Sequence, residues 1–163
     1  TGVQTCALPI CYNSDYFRPL QEAGGSINGA TGVDRTHYYE VVPSHFLELA
    51  LWMEADRMAN LTPVLTPEKL ENQRSVVVNE RRQRIDNQPY GRVSESIADE
   101  LFPKGHPYSW PIIGRMEHLE AMTLDDAVGF FQRFYQPGNA TLILAGDFDL
   151  EKTRGWKIGR AHV

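Results

Sequence analysis

Gly24-Gly25-Ser26-Ile27-Asn28-Gly29-Ala30-Thr31-Gly32-Val33-Asp34-Arg35-Thr36-His37-Tyr38-Tyr39-Glu40-Val41-Val42 is the stretch on which the fold turns. Gly24-Gly25 breaks the chain, and Ser26 to Thr31 follows as a run of small residues with one Ile. Gly32-Val33-Asp34-Arg35 reads as a turn. Thr36 to Val42, β-branched and aromatic, reads as a strand. Two strands with so short a connection predict a hairpin. A strand with almost no side-chain bulk lets another backbone come close, which suits an edge that takes on an extended peptide by strand addition. A glycine-tolerant corner of a hairpin or barrel reads equally well from the same residues.

Past Pro43 the pattern becomes helical. Pro43-Ser44 opens a helix with Ser44 as N-cap. Phe46, Leu47, Leu49, Ala50, Leu51, Trp52, Met53, Ala55 and Met58 make it apolar almost all round, which predicts a buried helix. Thr66-Pro67, a cap followed by proline at the first helical position, starts a second helix. It runs to about Asp86 with Leu70, Val76, Val77 and Ile85, and Asn87-Gln88-Pro89-Tyr90-Gly91 ends it. Arg92 to Phe102 looks helical, and Pro103 to Gly114 is a loop rich in proline and glycine. Thr123 caps a further helix with Asp125 and Asp126 favourably placed in its first turn. The stripe Leu124, Ala127, Val128, Phe131, Phe134 and Tyr135 is read as core, and Pro137-Gly138 terminates it. Ala140 to Ala145 is a short apolar run consistent with a buried central strand, ending at Gly146-Asp147. Strands early, helices in the middle and a returning strand predict α+β, with an antiparallel or mixed sheet packed against helices, rather than a parallel βαβ fold.

Both ends read as foreign to the domain. Ile158 to Val163 can be encoded by ATC GGA AGA GCA CAC GTC, and the reverse complement of its first seventeen bases encodes Thr5-Cys6-Ala7-Leu8-Pro9 and the start of Ile10. The DNA resembles a sequencing-library adapter, so residues 1–10 and 157–163 are expected to be translated artefact, outside fold reasoning. The domain is then 11–156. Removing Lys157 and Arg160 from 16 basic residues leaves 14 against 21 acidic ones, a net charge of −7. That balance, with no basic stripe, argues against a nucleic-acid partner. Cys6 falls in the artefact and Cys11 at its junction, so cysteine usage is silent on redox compartment. No apolar run approaches the ~18 residues of a membrane span.

Glu80 stands in Ser75-Val76-Val77-Val78-Asn79-Glu80-Arg81-Arg82. On a helix it shares a face with Gln73, Val76, Val77 and Arg84. A carboxylate beside two valines sits at a semi-buried position, where an unpaired charge is costly. Arg84 is one partner, an i,i+4 pair worth ~0.2–0.5 kcal/mol when exposed. A zinc ion is another, since a carboxylate serves as third ligand beside two histidines. These residues alone favour the ion pair. His45-Phe46-Leu47-Glu48 begins an H-x-x-E-H pattern, but Leu49 holds the fifth position. His45 is therefore read as a first-turn helix residue, and His37, His106 and His118 as scattered strand, loop and surface residues. No phosphate loop, G-x-S-x-G elbow or Cys/His nucleophile pair is present.

Longer pieces carry a resemblance. They are Glu22-Ala23-Gly24-Gly25-Ser26-Ile27-Asn28-Gly29-Ala30-Thr31, the run from Asp34 to Pro43, the run from Leu47 to Met58, and Val76-Val77-Val78-Asn79-Glu80-Arg81-Arg82. His106-Pro107-Tyr108 with Pro111-Ile112-Ile113-Gly114, Tyr135-Gln136-Pro137-Gly138-Asn139-Ala140 and Gly146-Asp147-Phe148 continue the order. Together, across 12–156, they resemble the insulinase/pitrilysin family of inverted-motif zinc peptidases. The resemblance implies an N-terminal domain fragment with half of a clamshell-type, mitochondrial processing peptidase-like fold. It also implies a peptide substrate and a companion half in the same chain or a partner subunit. In that family H-x-x-E-H supplies two zinc-binding histidines and the general-base glutamate, and a glutamate about 76 residues downstream completes the ligands. Counting back from Glu80 places the second histidine near position 3, inside the adapter-like segment. By resemblance Glu80 is then the third Zn2+ ligand, and Asn28, Gly29, Ala30 and Thr31 match the edge strand that binds the substrate peptide. The catalytic glutamate would lie upstream, leaving this chain no catalytic residue and no activity as given. Where the family often has an acidic residue seven positions before the ligand, this chain has Gln73. A non-catalytic structural or partner subunit of the family is the alternative, and a generic α+β binding domain a further one. Tandem bacterial members suggest a periplasmic or secreted setting.

Overall fold

A computed structural model describes residues 17–160, the last four by backbone alone. Of the segments read as adapter, 1–10 and 157–163, only the backbone of 157–160 falls within the described residues, as the end of a helix. A short helix α1 (Arg18–Glu22) precedes the hairpin of β1 (Ser26–Thr31) and β2 (Thr36–Val41). The turn is closed by the Gly32 N–H donating to the Arg35 carbonyl (2.8 Å), and the Thr31 and Thr36 hydroxyls face each other across it at 3.2 Å. Exposure alternates along both strands, the mark of a ribbon with one face covered. Gly25 is required where the chain enters β1. A Cβ there would meet Val42 Cγ1 at 2.8 Å and the Val41 carbonyl oxygen at 2.9 Å.

The helices follow the local signals, with three corrections. Ser44 does not cap the first long helix: Ser44–Phe46 forms a 3-10 turn, and α2 proper runs Leu47–Asn60. Nor is α2 buried all round. Ala50, Leu51, Met53 and Arg57 face inward while Trp52 is 39% exposed, so a charged residue holds a core position and an indole lies at the surface. The third concerns Ala140–Ala145, expected as a buried central strand. It forms no strand, and Leu142 and Ile143 are 47% and 81% exposed. A central strand needs a hydrogen-bonded neighbour on each side, and the two described strands pair only with each other. The α+β class stands: a two-stranded antiparallel sheet among predominantly helical structure.

Thr66 caps α3 (Pro67–Arg81) as expected, its hydroxyl accepting from Lys69 N (3.2 Å) with Pro67 at the first helical position. A single π-helical turn, Arg82–Asp86, extends α3 to the predicted end. Then come α4 (Val93–Leu101), α5 (Met116–Ala121), α6 (Leu124–Phe134) and α7 (Leu150–Arg160). None of the described helices is long and apolar enough to cross a membrane.

The described residues form two units. One comprises Gly29–His37 and Thr66–Leu124 and packs Val77 and Leu119 with Val78 and Ile113. Arg74 links α3 to the end of α5 within it. Its guanidinium donates to the carbonyls of Leu119 (3.0 Å), Glu120 and Met122 (2.7 Å), satisfying groups that a helix C-terminus leaves orphaned. The other unit joins the residues up to Asn28 with Tyr38–Leu65 and the chain from 125 onward. Its core is Leu20, Ala50 and Met53, covered by Phe17, Ile27, Tyr38, Val42 and Leu49. Phe131 is the deepest residue of α6 at 1% exposed, whereas Phe134 on the same predicted stripe is 44% exposed.

Candidate functional site

Glu80 lies in the last turn of α3, and its neighbours on the helix have divided roles. The inward seam runs Leu70, Arg74, Val77, Arg81, with Leu70, Val77 and Arg81 buried. Glu80 is next to that seam rather than in it, and its side chain is 33% exposed. Of the two valines expected beside it, Val77 is buried and Val76 is 49% exposed. The carboxylate pairs with Arg84 (Oε1 to Nη1, 2.9 Å), whose side chain is 75% exposed. The ion pair favoured by local reasoning therefore exists, with a partner that solvent can displace.

In its last turn this helix offers a metal a single carboxylate, Glu80. Among the described residues no group of three or more His, Cys, Asp or Glu is disposed to hold an ion. Glu80 lies at the boundary between core and solvent, paired with the exposed Arg84 guanidinium. A zinc site needs at least three protein donors, and the described residues do not assemble them. His45 is exposed and tilted against Phe46 at 4.5 Å. His106 accepts from Tyr108 N (3.2 Å) and stacks on Phe102, while His37 and His118 are exposed.

Asn28, Gly29, Ala30 and Thr31 do lie on a strand, β1, in the expected hairpin. Asn28 and Ala30 point to the exposed face, Gly29 and Thr31 to the half-buried one. Near the hairpin turn the Tyr108 hydroxyl donates to Asp34 Oδ1 (2.6 Å), which raises the phenol pKa. That bond anchors the turn to the loop before α5.

Two constellations escaped the sequence reading. The first surrounds Arg81, 4% exposed. Its Nη1 and Nη2 grip Glu95 of α4 as a fork (2.7 and 3.1 Å), Nη1 also donates to the Gly114 carbonyl (2.7 Å), and Nε lies 3.5 Å from Asp86. Donating to the Glu95 carboxylate pushes the guanidinium pKa still higher. The second fills the other unit. Arg57, 1% exposed, donates to Glu54 and lies 3.7 Å above the Tyr38 ring, and the Tyr38 and Tyr135 hydroxyls meet at 2.6 Å. Burial, with Tyr135 alongside, raises the Tyr38 pKa well above the usual phenol range. The Glu40 carboxyl joins this cluster. Burial first, then the charge and hydrogen bond of Glu54, push its pKa up to about 8, with Arg57 offsetting part. Glu95 and Glu40 carry no motif; the one signal available was a charged residue on an apolar seam, as at Arg57 and Arg81.

Comparison with known proteins places these features in a family context. The model described as the Peptidase M16 inactive domain matches residues 121–156. The chain is 31% identical over 148 residues to the zinc protease PqqE of Helicobacter pylori, covering 91% of this chain and 32% of that protein. It is 33% identical over 135 residues to an uncharacterized zinc protease of Mycobacterium leprae, covering 83% and 29%. The crystal structure of a protease from Helicobacter pylori superposes with a TM-score of 0.87 at 26% identity, over 98% of this chain and 39% of that one. The chain spans about a third of the length of the curated relatives it matches.

Proposed function

The chain belongs to the insulinase/pitrilysin-like family of zinc proteases, and from that premise we propose that it supplies the third-ligand helix and the peptide-binding edge of a zinc-dependent endopeptidase. The observation that carries this reading is Glu80. It sits in Val76-Val77-Val78-Asn79-Glu80-Arg81-Arg82, on a firmly anchored helix end, with its carboxylate tied to an exposed arginine.

Zinc held there would supply a bound water of pKa ~7 and polarise the scissile carbonyl. Glu80 itself moves no proton; it contributes one negatively charged ligand oxygen. Proton transfer to the leaving amine falls to a glutamate of an H-x-x-E-H motif that these 163 residues do not contain. Asn28 to Thr31 would receive the substrate backbone as an added strand, with Gly29 and Ala30 keeping that edge free of bulk. A companion half-domain, in the same chain or in a partner subunit, would close over the peptide.

The 163-residue chain is expected to bind zinc weakly and to cleave no peptide, because one carboxylate is not a site. Tight zinc binding with peptidase activity by this polypeptide would overturn the assignment. In a longer protein containing H-x-x-E-H upstream, Glu80→Gln should abolish peptide hydrolysis and weaken zinc binding. A second reading, a non-catalytic partner subunit, draws on the match of residues 121–156 to a domain described as inactive. A clean gene sequence upstream of residue 11 without H-x-x-E-H would favour it.

A further inference from the structure

We propose that Glu40 of β2 and Glu54 of α2 form a proton-operated latch, which holds the hairpin against α2 while the two carboxyls share a proton and releases it when that proton leaves. β2 turns Tyr38 and Glu40 to its covered face and Tyr39 and Val41 to the exposed one. On the covered face Glu40 meets charged groups from α2: Glu54, with which it is hydrogen-bonded, and Arg57. Across the hairpin β1 opposes it with apolar Ile27, by the register that sets Thr31 against Thr36. Its own strand contributes the Tyr38 phenol, whose hydroxyl lies against that of Tyr135.

The hydrogen bonds dictate where the proton sits. An ionised carboxyl only accepts, so two carboxyls bond each other only while one keeps its proton. Glu54 already accepts from the buried Arg57 guanidinium, which leaves the proton to Glu40. Glu40 Oε1 is also buried, with no hydrogen-bond partner among the described residues. Ionising Glu40 would strand charge away from water and set it against Glu54. Burial and Glu54 accordingly raise the carboxyl pKa to about 8, with Arg57 offsetting part. A glutamine at position 40 would bond Glu54 at every pH; the carboxyl makes the bond conditional.

Release of the latch is local. Ile27, Tyr38 and Val42 pack on Leu20, Ala50 and Met53, and these contacts do not depend on the Glu40 proton. Above pH about 8 the hairpin loses its polar tie to α2 and keeps the apolar one, so it opens more often while the fold persists. Once opened, Glu40 meets water and regains ordinary acidity. Opening is then favoured by at most about tenfold per pH unit between 4.5 and about 8. Solvent around the half-buried carboxyl reduces this to about tenfold over the two units from pH 6 to 8.

The 163-residue chain itself serves for the test. Infrared spectra of protein isotope-labelled at its glutamate carboxyls should show the carbonyl band of a protonated acid at pH 6. That band should fade as pH passes about 8, and Glu40→Gln should lack it. Glu54→Gln should lose the band at lower pH than wild type, because the repelling charge is gone and the new amide can donate to an ionised Glu40. This variant serves if Glu40→Gln does not fold. Native-state hydrogen exchange reads the latch itself. Protection of the Tyr38–Val41 amides, relative to those of Val76–Val78 in α3, should fall about tenfold from pH 6 to 8 in wild type. In Glu40→Gln the same ratio should stay within about twofold. A wild type without the protonated-acid band at pH 6 overturns the proposal. So does a protection ratio that stays constant with pH, or one that falls equally in Glu40→Gln.

Discussion

Glu40→Gln should remove a pH dependence that the buried cluster imposes on this chain. In the native state the Glu40 carboxyl is half-buried beside Glu54, and its pKa rises from 4.5 to about 8. Tyr38, its hydroxyl against that of Tyr135, stays protonated across this range, because burial holds its pKa above the usual phenol range. Between pH 4.5 and about 8 the folded chain therefore holds a proton on Glu40 that the unfolded chain has released. Stability from this group is complete below pH 4.5 and is lost as pH rises through about 8. At ~1.4 kcal/mol per pH unit the full interval would approach ~5 kcal/mol, and solvent reaching the half-buried side chain reduces it to about 2–3 kcal/mol. Glutamine keeps the shape and a hydrogen bond to Glu54 without the proton. In urea titrations at pH 5, 6, 7 and 8, wild type should lose about 1 M of midpoint more than Glu40→Gln across the series, taking m as about 2 kcal/mol/M. Other titrating groups are common to both proteins and cancel in the difference. Parallel curves, or a Glu40→Gln variant less stable than wild type at pH 8, would refute the reasoning.

Phe131→Ala should cost about 3–5 kcal/mol, since the ring is 1% exposed and packs edge-on against Tyr135 at 4.7 Å; thermal unfolding reads it. Thr66→Ala should cost about 1 kcal/mol by leaving the Lys69 N–H uncapped, visible as a lower urea midpoint at unchanged slope. Glu80→Gln in the 163-residue chain should change stability by less than about 0.5 kcal/mol, because it removes only an i,i+4 pair with an exposed arginine. A loss well above 1 kcal/mol would mark Glu80 as a structural residue and weaken its reading as a ligand.

Much of the fold was legible because its signals are local. The Gly32–Arg35 turn, the small-residue strand and the Thr66-Pro67 helix start act over a few residues, and each lies where the sequence puts it. Ser44 failed as a cap because proline and a 3-10 turn took up the first residues before Leu47. Ala140–Ala145 failed as a strand for a different reason: apolar composition predicts willingness to pair, not the presence of a neighbour. At the candidate site, Glu80 and its partner Arg84 could be read from i,i+4 spacing. Arg81 could not, because its grip on Glu95 and Gly114 joins residues 14 and 33 positions away.

By itself, then, the sequence determined the hairpin, most helix limits and the α+β class, and it singled out Glu80 as a candidate ligand. Only the tertiary structure decided which charges go inside. Arg57, Glu40 and Arg81 are strongly polar residues that any local reading leaves in water, because desolvating them alone is costly. Their burial becomes tolerable through partners that folding brings together, such as Glu54, Glu95 and the Tyr38–Tyr135 pair spanning 97 positions. Burial of a charge depends on the neighbours it meets rather than on the residue, and those neighbours exist only once the chain has folded.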